Sequence, residues 1–205
     1  MDFSTSETKQ NLMRAFAGES QARNRYTLAA EEARRQNLHV IEAAFTFTAG
    51  QEKEHAEIFY NHLSSLAGES IHIDGSYPID ISDSVTGLLR AAQHNEYEEY
   101  SDVYQAFGQK AREEGFHAAA ASFFNIAKIE KTHGDRFAAL AELMEQGKLF
   151  AAAESGRWMC LNCGHIYEGT EVPELCPVCR HDRGYFLRQE GIAVGDTPAE
   201  AFMML

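Results

Sequence analysis

Apolar residues recur every three to four positions through most of the first 147 residues, a period that predicts four helices. Ser4 to Glu7 has the form of a capping box and is expected to open the first helix. Its inward stripe is Leu12, Phe16, Glu19, Ala22, Tyr26, Ala30 and Ala33, with Asn37 as a left-handed stop after Arg34 and Arg35. A second helix is expected from His39 to Leu66, burying Phe45, Thr48, Glu52, His55, Phe59, Leu63 and Leu66. Residues 67 to 82 carry Gly68, Gly75 and Pro78 without a helical period and read as one long crossover. The third helix starts near Ser82, turns Val85, Leu88, Ala92, Glu96, Glu99, Val103 and Ala106 inward, and stops at Gly115. The fourth carries Phe123, Ile126, Glu130, His133, Phe137, Leu140 and Met144 and ends at Gly147. Residues 148–156 read as a linker. Beyond them the composition turns to Cys, Gly, Pro and aromatics, with strand-like stretches at Trp158-Met159 and His165-Ile166-Tyr167. The expected organisation is a helical bundle over 1–147, a linker, a four-cysteine domain over 157–191 and a tail over 192–205.

Charged residues interrupt these stripes in a pattern. Glu52-Lys53-Glu54-His55 and Glu130-Lys131-Thr132-His133 each set a carboxylate and an imidazole three residues apart, on one helix face. Glu19 and Glu96 occupy matching places on the other two helices, so the first helix pair resembles the second. Glu99, whose counterpart is near Ala22, adds one carboxylate outside that symmetry. A Glu-x-x-His from each of two helices with a Glu from each of two others is the ligand set of a di-iron or di-manganese carboxylate bundle. One unpaired buried carboxylate costs several kcal/mol or more. Five in one core therefore call for cations, with iron, manganese and zinc all compatible with the donor set. Tyr26 and Tyr104 lie on or beside the stripe, placed either to donate hydrogen bonds there or to act as ordinary core tyrosines. His39, His62, His72, His94, His117, His165 and His181 lack this organisation and are read as surface or supporting residues.

All four cysteines fall in two short knuckles, Cys160-x-x-Cys163 and Cys176-x-x-Cys179. Four thiolates imply one tetrahedral metal. A structural zinc ribbon is the commoner use of the pattern. Trp158 and Tyr167 beside the first knuckle, and a redox-capable neighbouring domain, favour iron.

Composition narrows the partners. The chain of 205 residues has a net charge of −13, which repels phosphate backbones and anionic lipid, so neither nucleic acid nor membrane is an expected partner. No run approaches a membrane span, and Met1 to Ser20 lacks a basic stretch followed by an apolar one, so no secretory leader is expected. Paired Cys-x-x-Cys in such a chain reads as metal binding in a cytoplasmic protein.

Taken together, Gly18-Glu19-Ser20, the two tetrads, Glu96-Tyr97-Glu98-Glu99, Cys160-Leu161-Asn162-Cys163-Gly164 and Glu174 to Cys179 resemble the rubrerythrin family over most of the chain. The resemblance implies a mainly α fold, a ferritin-like four-helix bundle followed by a small rubredoxin-like domain. It implies two irons at the carboxylate site. Glu19 and Glu99 would be terminal ligands of the first iron, with His55 replacing Glu99 on reduction. Glu96 and His133 would bind the second, with Glu52 and Glu130 bridging. Tyr26 and Tyr104 match supporting tyrosines, and Cys160, Cys163, Cys176 and Cys179 would hold one further iron, with zinc the alternative. Arg180 departs from simple rubredoxins, which usually have Gly there. The implied activity is reduction of hydrogen peroxide to water in defence against oxidative stress. Electrons would come from an external donor, a rubredoxin or an NAD(P)H-dependent reductase, and the assembly would be a head-to-tail homodimer. Two rival readings are a ferroxidase or iron-handling protein using oxygen, and a non-catalytic metal-binding module with zinc at the cysteines.

Overall fold

The first helix begins later than its capping box implies. In the computed structural model, which describes residues 2–189, Ser6 caps α1 (Glu7–Arg35) and its hydroxyl oxygen accepts from the Lys9 N–H at 3.1 Å. Ser4 lies instead in a short 3-10 turn, Phe3–Thr5. The Glu7 side chain is not needed to complete a box, because the carboxylate of Glu114 takes the free N–H groups of Glu7 and Thr8, at 3.1 and 2.8 Å.

Asn37, at φ 56°, turns α1 back into α2 (His39–Asn61) as the left-handed stop expected there. The second helix is shorter than its stripe suggested: it ends at Asn61, and Leu66 sits in a 3-10 turn, Ser64–Leu66. No helix or strand occurs between residues 67 and 84, so the crossover is present. Ser84 rather than Ser82 caps α3 (Val85–Glu98), accepting from the Gly87 N–H at 3.2 Å. A π-helical turn, Glu99–Val103, joins α3 to α4 (Tyr104–Glu113), and α5 (His117–Glu145) completes the bundle. The wide turn, closed by the Tyr104 N–H on the Glu99 carbonyl, inserts an extra residue. The inward face therefore passes to Tyr104, Gly108 and Ala111, and Ala106, expected inside, is exposed.

The apolar core is divided. One cluster gathers Tyr26, Ile41, Phe45, Leu89 and Phe137 near the α1–α2 turn. The other gathers Leu12, Phe59, Tyr104, Phe123 and Ile126 toward the opposite end. Between them lies a buried layer of Glu19, Glu52, His55, Glu96, Glu130 and His133.

Residues 151–156, read as linker, form the first half of β1 (Ala151–Cys160). This strand pairs antiparallel with β2 (Ile166–Glu171) and β3 (Phe186–Arg188), in the order β2-β1-β3, with Trp158 opposite Tyr167 and Arg188. Trp158 is buried beside Cys160, Cys176, Val172 and Phe186, and its indole N–H donates to the Gly169 carbonyl at 3.0 Å. The small domain is seated on the bundle: Tyr185 stacks on His39 with ring centroids 3.9 Å apart, and Leu149 and Leu187 enter the first cluster. Gly184 passes so close to Asn37 that a Cβ would lie 1.8 Å from its carbonyl oxygen, which excludes any other residue. Among the described residues no helix is long and apolar enough to cross a membrane. Residues 190 and 191 and the tail expected over 192–205 lie outside the described residues.

Candidate metal centres

Four helices bring the stripe carboxylates to one level: Glu19 on α1, Glu52 and His55 on α2 and Glu130 and His133 on α5 lie near mid-length, and Glu96 lies in the last turn of α3, just before the π-helical turn. All six are at most 5% exposed, a burial that charged side chains tolerate only when paired or ligated. They form two overlapping groups, Glu19-Glu52-His55-Glu130 and Glu52-Glu96-Glu130-His133, in each of which one ligand atom per residue lies within 4.8 Å of the others. Glu52 and Glu130 belong to both, as residues shared between two ions must.

The donor atoms converge without satisfying one another. His133 Nδ1 lies 2.9 Å from Glu52 Oε1, 2.9 Å from Glu130 Oε2 and 3.4 Å from Glu96 Oε2, yet it has no hydrogen-bond partner. The same is true of Glu19 Oε2, Glu52 Oε1, Glu96 Oε2 and both oxygens of Glu130. His55 Nδ1 faces Glu130 Oε1 at 3.0 Å, Glu52 Oε2 at 3.3 Å and Glu19 Oε2 at 3.7 Å. Buried polar atoms are nearly always paired, so this orphaned set fits cations. Burial, reinforced by Glu130 and Glu52, pushes the Glu19 carboxyl well above its usual range. Burial and then Glu52 push Glu96 up to about 8. Burial acts on Glu52 too, but His133 beside it outweighs that and holds it down. Burial opposes the charging of His133, whereas Glu52 and Glu96 raise it well above an ordinary imidazole. Positive charge is what the layer lacks, whether it comes as protons or as divalent ions.

Glu99 stands apart. It is only half-buried, belongs to neither group, and lies at the start of the π-helical turn, facing a cavity of about 300 Å³. The first group thus contains His55 and not Glu99. Burial, and then Glu96 and Glu130, push the Glu99 carboxyl well up. The two tyrosines reach the layer: Tyr26 donates its hydroxyl to Glu96 Oε1, and Tyr104 to Glu19 Oε1. Sequence reasoning missed a further set. His133 Nε2 lies 3.1 Å from Gln51 Oε1, and the buried Arg136 donates to Thr48 Oγ1 at 2.8 Å and Gln51 Oε1 at 3.4 Å. The signal was available, since Arg136 follows His133 by one helical turn on a largely apolar face. The unassigned histidines stay outside the layer: His62 pairs with Ser122 and His39 stacks on Tyr185.

The four cysteines meet at the far end. Cys160 and Cys179 sulfurs are 3.7 Å apart, as are those of Cys163 and Cys176. A tetrahedral site with metal–sulfur bonds of about 2.3 Å has edges of about 3.8 Å, so the spacing fits one ion. The knuckles repeat each other: the Gly164 N–H donates to the Cys160 carbonyl at 2.8 Å and the Arg180 N–H to the Cys176 carbonyl at 2.9 Å. The His181 N–H holds the Cys179 thiol down at about 5, while burial pushes Cys160 up to about 12. Arg180 takes φ 65°, the conformation that explains glycine at the matching Gly164.

The same two units recur in known proteins. Residues 10–141 match the family model for rubrerythrin, and residues 158–187 match that for the rubrerythrin rubredoxin-like domain. The chain belongs to the rubrerythrin family. It is 45% identical to a rubrerythrin of Clostridium perfringens over 88% of this chain and 93% of that one. It is 44% identical to a rubrerythrin of Porphyromonas gingivalis over 88% and 89% of the two chains. Nigerythrin, solved in a mixed-valence state, superposes with a TM-score of 0.60 at 29% identity over 90% of both chains. The ferritin-like fold expected from the sequence is therefore established. The two groups of ligands fit the di-iron and rubredoxin-type iron of rubrerythrins.

Proposed function

We propose that this rubrerythrin-family chain is a peroxidase that reduces hydrogen peroxide to water, with electrons delivered through the four-cysteine iron from an external rubredoxin or NAD(P)H-dependent reductase. The observation that carries the reading is the pairing, in one chain, of a buried carboxylate layer with room for two ions and a four-thiolate site suited to one-electron exchange. Reduction of one peroxide consumes two electrons and two protons and yields two waters. When bound, a ferrous pair supplies both electrons and Lewis acidity toward both peroxide oxygens.

This chain's residues set the conditions. Glu19, Glu96 and His133 would hold the ions from the outside, with Glu52 and Glu130 between them. His55 and Glu99 are the two candidates for one remaining position, His55 inside the first group and Glu99 at its edge. Tyr26 and Tyr104 fix Glu96 and Glu19 by their hydroxyl protons and keep one oxygen of each carboxylate turned into the layer. The apolar clusters above and below exclude bulk water, which strengthens each of these contacts. Reduced thiolates at all four cysteines suit a cytoplasmic setting.

His39, which stacks on the cysteine domain, is 13 residues from Glu52 along α2, roughly 20 Å at 1.5 Å per residue. A head-to-tail dimer, bringing each cysteine domain to its partner's carboxylate layer, is therefore part of the proposal.

The deciding experiment reduces the protein fully without oxygen and mixes it with hydrogen peroxide, following the visible band of thiolate-bound iron in a stopped flow. Fast recovery of the band with peroxide and much slower recovery with oxygen is the expected result. The reverse order points to a ferroxidase or oxidase. A colourless protein means zinc at the cysteines and ends the relay.

A further inference from the structure

We propose that the cavity beside Glu99 is the entrance to the carboxylate layer for small polar oxidants the size of hydrogen peroxide, and that Tyr77 on the crossover sets its width. The proposal rests on the peroxidase reading for its substrate but on the structure for its route. Every other stripe carboxylate and imidazole is at most 5% exposed, whereas Glu99 is half-buried and forms part of the cavity wall. The cavity holds about 300 Å³, against about 30 Å³ for a water molecule in the liquid. Peroxide is little larger, so the space admits it with its hydration. Its inner wall includes Tyr104, whose hydroxyl meets Glu19, so it abuts the layer directly.

The outer wall is the crossover, and it is fastened on both sides of Tyr77. Asp74 pairs with Arg14 at 2.6 Å, and Asp80 pairs with Arg25 and accepts from the Asn95 amide at 2.8 Å. Both arginines on the rim are thus neutralised, which leaves a largely apolar lining with little free positive charge, broken on its inner side by Glu99. Between these anchors the Tyr77 hydroxyl donates to the Arg14 carbonyl at 3.0 Å, laying its ring over α1 one residue before Glu19. A Cβ at Gly18 would already lie 3.7 Å from that ring, so a longer side chain there grows into the space between α1 and the crossover. The π-helical turn completes the passage, because it sets Glu99 and Val103 on the cavity wall.

Two variants of the iron-loaded protein test this with two kinds of probe. Azide binding to the oxidised carboxylate centre, followed by its charge-transfer absorption, reports access without any turnover. Hydrogen peroxide and the bulkier cumene hydroperoxide report access with turnover. Gly18→Leu, with iron content and the thiolate-iron band unchanged, is expected to slow azide association and peroxide consumption by about tenfold or more. Tyr77→Ala is expected to speed cumene hydroperoxide by about tenfold while changing hydrogen peroxide by less than about twofold. Azide association unchanged in both variants overturns the route. If azide association is slowed in Gly18→Leu while the parent protein consumes no peroxide, the entrance stands and the peroxidase reading falls. If Gly18→Leu does not fold, Tyr77→Ala decides alone: no gain with cumene hydroperoxide and none with azide overturns the proposal.

Discussion

Gln51 Oε1 lies 3.1 Å from His133 Nε2 and also accepts from Arg136, so the amide oxygen faces two donors and the imidazole proton sits on Nε2. A metal that displaces the Nδ1 proton facing Glu52, Glu96 and Glu130 would then find the ring held in the tautomer a ligand needs, with Nε2–H kept by Gln51. Gln51→Leu is expected to weaken metal binding at the carboxylate layer by about 10- to 100-fold, and Gln51→Glu to preserve most of it. Competition against a chelator of known affinity measures this. Equal affinity for Gln51→Leu and the parent would show that the contact does not orient the ring.

Tyr104 supplies Glu19 with one of its few partners inside the bundle. Tyr104→Phe keeps the ring against Phe59 and Phe123, at 5.4 and 5.9 Å, and removes only the hydroxyl. The loss is expected to destabilise the metal-free protein by about 1–3 kcal/mol, the usual consequence of an unsatisfied buried acceptor. Denaturant unfolding gives the number directly.

Glu114 serves the start of α1 from across the bundle. Burial works to raise its carboxyl, but the hydroxyl and N–H of Thr8 and the N–H of Glu7 outweigh that and hold it below the usual range. A carboxyl lowered in the folded state adds stability above the unfolded value, near 4.3, and loses it as pH falls through the folded one. Glu114→Gln is therefore expected to cost about 1 kcal/mol at pH 7, kept small by solvent screening at a partly exposed site. The gap to the parent should close below about pH 4. A gap that persisted undiminished at pH 3 would mean the amide loses something other than charge.

Arg180 repeats the role of Gly164 with a side chain attached, at φ 65°. The left-handed conformation costs a non-glycine residue about 1–2 kcal/mol, part of which glycine returns through its freer unfolded chain. Arg180→Gly should raise the stability of the cysteine domain by up to about 1 kcal/mol without changing its metal content. Thermal loss of the thiolate-metal band is the readout.

Chains lacking Glu99, mixed and reassembled with chains lacking Cys160, should recover donor-linked turnover in the mixed dimer, because one intact centre of each kind remains on opposite chains. Each parent variant alone should be poor. No recovery would argue that a cysteine domain serves its own chain.

The helix stripes were legible because burial repeats: Leu12, Phe45, Phe59, Phe123 and Phe137, all placed inward by period, are fully buried. The buried charged layer was legible for the same reason, since Glu19, Glu52 and Glu130 interrupt otherwise apolar faces. The π-helical turn was not, because one inserted residue leaves local composition unchanged and reveals itself only where Tyr104 replaces Ala106 inside. The start of α1 was misread because Glu114, more than a hundred residues away, supplies the acceptor that a local box was expected to provide. Strand β1 was hidden by Ala151-Ala152-Ala153, residues with little strand preference, of which Ala151 pairs with Glu171 of β2 ahead of an irregular stretch that runs to Gly156.

The charged layer between the two apolar clusters has a mechanical consequence. It is a seam across the bundle, and the hydrophobic halves on either side barely share packing except through the helices that thread both. Ions in the seam would weld the halves into one cooperative unit. Stripped by chelation, the protein is expected to lose protection from amide exchange first at mid-helix, around Glu52 and Glu130, and then end by end instead of all at once. Such a seam lets metal content decide whether the molecule unfolds as one body or as two.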